Sequence, residues 1–197
     1  TGPDDRSTGN EGLMKEYTDY LTVTDSNYGK ELRDSFNSGN APESGGNWVA
    51  RGISADKLIY WGESHDTWSN NQDYGYSNDM SQNVIDRAYA VAASRNQITA
   101  LYFSRPSSKV KTDIMAGVKG STHFTSKEVA EVNRFHNAMI GQKDSYAKSN
   151  NCSVVTREQG AVIVKGSGSG SVTVENAGNL TKPGTYTDQV SGNKFTV

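Results

Sequence analysis

A single cysteine, Cys152, excludes an intrachain disulfide, a paired-thiol redox motif and a cysteine-built zinc site, because each needs more than one sulfur. Long apolar runs are missing as well. None approaches the ~18 residues of a membrane span, and the opening TGPDDRSTGNEG has neither the basic start nor the apolar centre of a signal peptide. An excess of one charge sign is also lacking, with Lys and Arg numbering 20 against 22 Asp and Glu and the basic residues scattered. The expectation is therefore no nucleic-acid footprint and no membrane partner; a neutral ligand suits this balance better. Hydrophobic residues are 34 % of the 197, glycines number 20, and mean hydropathy is −0.70. This is a polar, turn-rich chain with less core-forming material than usual, and its core is not expected to be self-sufficient.

What is there follows a βα rhythm. YLTVT alternates as a short strand, and the helix after it carries Leu32 and Phe36 four apart on one face. Beyond the Gly/Pro/Ser/Asn stretch SGNAPESGGNW comes ADKLIYWGES, whose apolar centre predicts a buried parallel strand. MSQNVIDRAYAVAASRN places Val84, Ala88, Val91 and Ala92 at helical spacing, with Asp79 as the expected N-cap. A third strand, ITALYFSRP, closes at Pro106. A last helix, SKEVAEVNRFHNAMIGQ, bears the stripe Val129, Val132, Phe135 and Met139 and ends at Gly141. From about residue 143 the pattern changes to short β-branched runs punctuated by Gly and Ser, as in antiparallel strands; GSGSGS, between VIVK and VTVE, is expected to turn a hairpin. Two domains are expected, 1–142 and 143–197. Three βα units imply a parallel sheet with right-handed crossovers, but a closed (β/α)8 barrel needs eight.

The stretch WGESHDTW concentrates the chemistry. Four polar residues, Glu63, Ser64, His65 and Asp66, follow the apolar run Leu58-Ile59-Tyr60, which is costly unless the strand ends there. Loops at the carboxyl ends of parallel strands converge on one mouth, so a turn there brings His65 and Asp66 out together. A carboxylate beside an imidazole suits the adjacent hydroxyls of a sugar. The bland reading makes Asp66 a loop cap and His65 a satisfied, partly buried side chain. A metal site is the weaker rival, since no second ligand pair lies at coordinating spacing. Trp68 is either a platform for a sugar ring or a structural residue, and Trp61 reads as core. Asn70 is a candidate to bond a substrate hydroxyl from the loop, and Glu63 a candidate to orient the pair. His136 reads as a packing or hydrogen-bonding residue and His123 as a loop histidine without a partner. Glu11 and Glu16 read as solvated charges.

ADKLIYWGESHDTW, followed by ASRN, LYFSRP and EVNRFHNAMIGQ and preceded by DSNYG, resembles bacterial α-amylases of glycoside hydrolase family 13, over nearly the whole chain. The resemblance implies the last three βα units of a TIM (β/α)8 barrel followed by an antiparallel β-sandwich, an α/β fold incomplete at both ends. It implies endo-hydrolysis of internal α-1,4 bonds in starch with retention of configuration. Asp66 matches the family's third catalytic carboxylate, the transition-state stabiliser, and His65 the histidine that binds the same sugar. The nucleophilic aspartate and acid/base glutamate of the family have no match here, so the partners implied are starch or malto-oligosaccharides and the upstream portion of the same enzyme. Calcium is implied by the family, with no ligand residue to name in this chain. Secretion is implied too, because an insoluble polymer cannot enter a cell. The alternatives are a non-catalytic glucan-binding or scaffold fragment, and a related transglycosylase or maltogenic enzyme.

Overall fold

The computed structural model describes residues 11–69, 77–108, 110, 113 and 116–197. Its centre is a parallel sheet in the order β1 (Val23–Thr24), β2 (Leu58–Trp61), β3 (Thr99–Leu101), with Val23 opposite Leu58 and Ile59 opposite Thr99. Side chains alternate across β2 as strand geometry requires. Leu58 and Tyr60 are buried, whereas Ile59 and Trp61 are half-buried on the other face. Leu101 of β3 is 49 % exposed. One face of this sheet is thus covered and the other is not.

The cover comes from the crossover helices. α2 (Ser26–Asn37) links β1 to β2 and is capped by Asp25, whose side chain accepts from the Tyr28 amide. It inserts Tyr28, Leu32 and Phe36, all nearly inaccessible, into a core shared with Leu58, Tyr60, Val91 and Ala92. Gly29 lets the helix lie directly on the strand, since a Cβ there would stand 2.6 Å from the Trp61 carbonyl oxygen. The short α3 (Asn47–Ala50) adds Trp48 to the same core. α5 (Gln82–Ser94) links β2 to β3 and buries Ile85, Ala88, Tyr89, Val91 and Ala92. Its cap is Ser81, not the expected Asp79: the Ser81 hydroxyl accepts from the Val84 amide, while Asp79 lies inside the turn closed by the Met80 amide on the Ser77 carbonyl.

Two elements complete this half. α1 (Glu11–Thr18), which no apolar period announced, docks through Met14, 1 % exposed, and leaves Glu16 in solvent. α6 (Lys127–Ala138) packs Val129 and Val132 against Tyr89 and Ala93 of α5, and the chain turns away at Gly141 with φ +82°.

The remainder is antiparallel, as its pattern implies: β4 (Ser145–Ser149), β5 (Cys152–Arg157) and β6 (Gly160–Lys165) form one sheet, and β7 (Thr185–Thr187) with β8 (Lys194–Thr196) a separate hairpin. The hairpin expected around GSGSGS is not observed. Lys165 donates to the Ser169 and Gly170 carbonyls and folds the Gly/Ser run back. Residues 172–175 then pass β4 without strand pairing, with the Glu175 amide held by the Ser149 hydroxyl. Among the contacts that join the two halves is the buried Arg157 of β5. It is 1 % exposed and donates to the Ser94 carbonyl at the end of α5 (Nη2, 2.7 Å) and to the Gln142 carbonyl beyond α6 (Nη1, 2.8 Å).

Candidate functional site

At the carboxyl end of β2 the chain leaves the sheet through Gly62, where a Cβ would press on Ala88 at 3.1 Å and on the α5 backbone at 3.3 Å. Its carbonyl accepts from Arg33, a fully buried guanidinium that also lies 5.2 Å from the Trp61 ring centre. Burial pushes Arg33 down to about 10, against the opposing pull of the Asp34 and Glu63 carboxylates. Trp61, expected in the core, is half-buried beneath this cation.

The strand ends before the polar cluster, and a single helical turn, α4 (His65–Ser69), follows. Ser64 and Thr67 fix it reciprocally: the Ser64 amide donates to the Thr67 hydroxyl at 3.0 Å, and that hydroxyl donates to the Ser64 carbonyl at 3.1 Å. Thr67 is buried, and its oxygen also accepts from the Ser77 hydroxyl at 3.0 Å, which uses the donor and both acceptor sites. The turn therefore has a defined geometry. It presents His65 and Asp66 side by side, Nε2 to Oδ1 3.3 Å, with side chains 77 % and 60 % exposed. His65 is therefore not the partly buried side chain of the bland reading. Two hollows, one lined by Tyr89, Ala100, Asn133 and His136 and the other by Asn96, Gln97, Ile140 and Arg157, lie elsewhere.

Glu63 turns inward instead. Its side chain has no accessible surface and takes a two-pronged bond from Arg105, Nε to Oε2 at 2.8 Å and Nη2 to Oε1 at 2.9 Å. Arg105 lies just beyond β3, stacks 4.3 Å from the half-buried Trp68 ring centre and donates to the Ser77 carbonyl at 3.2 Å. Breaking such a pair by removing one partner costs about 3–5 kcal/mol, because the other charge stays buried. Glu63 thus bonds Arg105, and any influence on the exposed pair runs through the loop. Arg105 was missed in the sequence, although its place in LYFSRP at the end of a parallel strand was a usable signal.

Asn70 lies outside the described residues. Trp68 joins the site with one ring face against Arg105. His136 hydrogen-bonds the Ala93 carbonyl through Nδ1 at 2.7 Å, a link between α6 and α5. His123 is not partnerless: its Nε2 lies 2.6 Å from Asp86 Oδ2, because the loop after β3 folds back onto α5. Among the described residues no group of three or more His, Cys, Asp and Glu side chains is placed to hold a metal ion.

No protein-family model matches this chain. It resembles bacterial α-amylases: it is 30 % identical over 154 residues to the α-amylase of Clostridium acetobutylicum, covering 77 % of this chain and 19 % of that protein. With the α-amylase of Butyrivibrio fibrisolvens it shares 28 % identity over 210 aligned positions, covering 93 % of this chain and 21 % of that one. The chain spans about a fifth of the length of these curated relatives. Among solved structures it superposes on α-amylase I from Eisenia fetida with a TM-score of 0.59 at 17 % identity, over 89 % of this chain and 42 % of that one. A mutant of that enzyme, in a complex with maltohexaose, gives 0.61 at 16 %. At these identities the structural likeness speaks for the fold alone.

Proposed function

We propose that this chain is the carboxyl-terminal part of the catalytic barrel of an α-amylase together with the start of the β domain that follows it, and that Asp66 is one of the three carboxylates that cleave internal α-1,4 bonds of starch. The observation that carries this reading is the exposed His65–Asp66 pair on the turn after β2. Two acceptor oxygens on Asp66 can hold adjacent hydroxyls of one glucose unit, and His65 can bond the same unit. Bonds of this kind that tighten as the ring flattens toward an oxocarbenium ion lower the barrier without lowering the ground state equally. The maltohexaose bound by the mutant Eisenia fetida enzyme supports malto-oligosaccharides as the ligand class.

The uncovered sheet face and its two outer strands support an upstream portion as the partner. Thr24, Ile59, Trp61, Thr99 and Leu101 alternate onto the face left half-buried or exposed, as inward-facing barrel positions do before the remaining strands close over them. That portion would supply the nucleophilic aspartate and the acid/base glutamate of a retaining mechanism. The calcium that the resemblance implies has no holder among the described residues. Secretion fits the substrate, which is too large to enter a cell.

The test is reconstitution. This chain alone should release no reducing ends from starch, and the chain joined to its upstream portion should do so. Asp66→Asn should then lower turnover by about 10²–10³ or more, the loss that follows removal of one well-placed transition-state contact. Hydrolysis by the isolated chain, or undiminished turnover in Asp66→Asn, would refute the assignment. Retardation of the isolated chain in a starch gel would favour a glucan-binding fragment instead.

A further inference from the structure

Resting on the reading of Asp66 as a transition-state stabiliser, we propose that Arg105 is a positioning residue, which sets the placement of His65 and Asp66 by gripping both flanks of the turn that bears them. One guanidinium reaches residue 63 before the turn, residue 68 at its far end and residue 77 where the chain comes back: it bonds the Glu63 carboxylate at 2.8 and 2.9 Å, stacks 4.3 Å from the centre of the Trp68 ring, and donates to the Ser77 carbonyl at 3.2 Å. Ser77 in turn bonds Thr67 twice, amide to carbonyl at 3.0 Å and hydroxyl to hydroxyl at 3.0 Å. His65 and Asp66 thus ride on a turn tied to one planar group through residues 63, 68 and 77.

The grip depends on the fork shape of arginine. A two-pronged carboxylate bond fixes the plane of the guanidinium, and that plane fixes where the Trp68 ring can lie. A lysine keeps the charge but not the plane. Because Glu63 has no accessible surface and Arg105 little, the pair is screened from solvent and holds its geometry while the exposed Asp66 carboxylate meets substrate. Arg105 acts through the turn, and the group that touches the sugar is Asp66.

The test separates positioning from folding. In the full-length enzyme that carries this segment, two variants are compared with the parent: Arg105→Lys, and the double variant Glu63→Met with Arg105→Met. The double variant leaves net charge unchanged and removes the buried pair as a unit, which proteins commonly tolerate. Both should lose about tenfold to a hundredfold in kcat on a malto-oligosaccharide, the scale of a misplacement near 1 Å, while the thermal midpoint of the double variant stays close to that of the parent. KM should move far less than kcat, because ground-state contacts to the rest of the sugar chain persist. A folded double variant with parental kcat would overturn the proposal; should that variant fail to fold, parental kcat in Arg105→Lys would overturn it equally. Asp66→Asn measured alongside keeps the two ideas apart. Full turnover there would sink the amylase reading itself, whereas loss of turnover there with parental Arg105 variants would sink only the positioning role.

Discussion

Replacing Arg157 by methionine should destabilise the chain more than any change at the exposed site. The guanidinium is 1 % exposed and gives two bonds to the Ser94 carbonyl (Nη2 2.7 Å, Nε 3.3 Å), at the end of α5 where the last carbonyls have no partner within the helix, and one to the Gln142 carbonyl beyond α6 (2.8 Å). The Met139 carbonyl, 3.3 Å from Nη1, already accepts from the Gln142 amide, so it loses little. Ser94 is fully buried, and its carbonyl would be left without a donor. An orphaned buried acceptor plus lost charge-assisted bonds, less the burial cost of the cation that the variant no longer bears, amounts to about 2–4 kcal/mol. That burial cost is real, since burial lowers the Arg157 pKa, although Asp144 pulls the other way. For a domain of this size each kcal/mol moves the midpoint by about 2–4 °C, so a fall of roughly 4–16 °C is expected by calorimetry or circular dichroism. Urea titration should show a lower midpoint with an unchanged slope. A loss below about 0.5 kcal/mol would show that water or a neighbour satisfies the Ser94 carbonyl, and that the clasp between the parallel and antiparallel halves is dispensable.

Gly29→Ala should cost about 1–3 kcal/mol, read by the same titration, because its methyl would stand 2.6 Å from the Trp61 backbone oxygen and force α2 off β2; a neutral result would mean that the helix can slide. Stability should fall as pH rises past about 10, for a reason with a definite sign: burial raises the pKa of Tyr28, Tyr60, Tyr89, Tyr102 and Tyr146, the last to about 12, so the folded chain keeps protons that the unfolded chain loses. Absorbance at 295 nm should show these tyrosines ionising only as the fold is lost, and a smooth titration of all ten at their ordinary pKa would contradict the buried placement.

Much of the parallel half was legible from spacing. Leu32 and Phe36 four apart, and Ala88, Val91 and Ala92 on one helical face, are found buried together against Leu58 and Tyr60, because burial of an apolar stripe is what makes such helices stable. Caps and turns were less legible. Asp79 and Ser81 are both acceptable caps, and the backbone hydrogen bonds of the preceding turn decided for Ser81. VTVE after GSGSGS carries the pattern of a strand, yet Lys165 holds the Gly/Ser run by its carbonyls and that segment takes no place in the sheet.

At the site the same division holds. The order of residues alone determined that a polar cluster had to end β2 and that His65 and Asp66 would leave the sheet together, since ionisable groups cannot continue an apolar strand at acceptable cost. Only the tertiary structure decided that Glu63 turns inward while its neighbours face water, and that its partner is Arg105. That pairing joins residues 42 apart in the chain. Local patterns report which face of an element is apolar, whereas the meeting of two charges across the ends of adjacent parallel strands depends on strand order and register, which the chain fixes only when it folds.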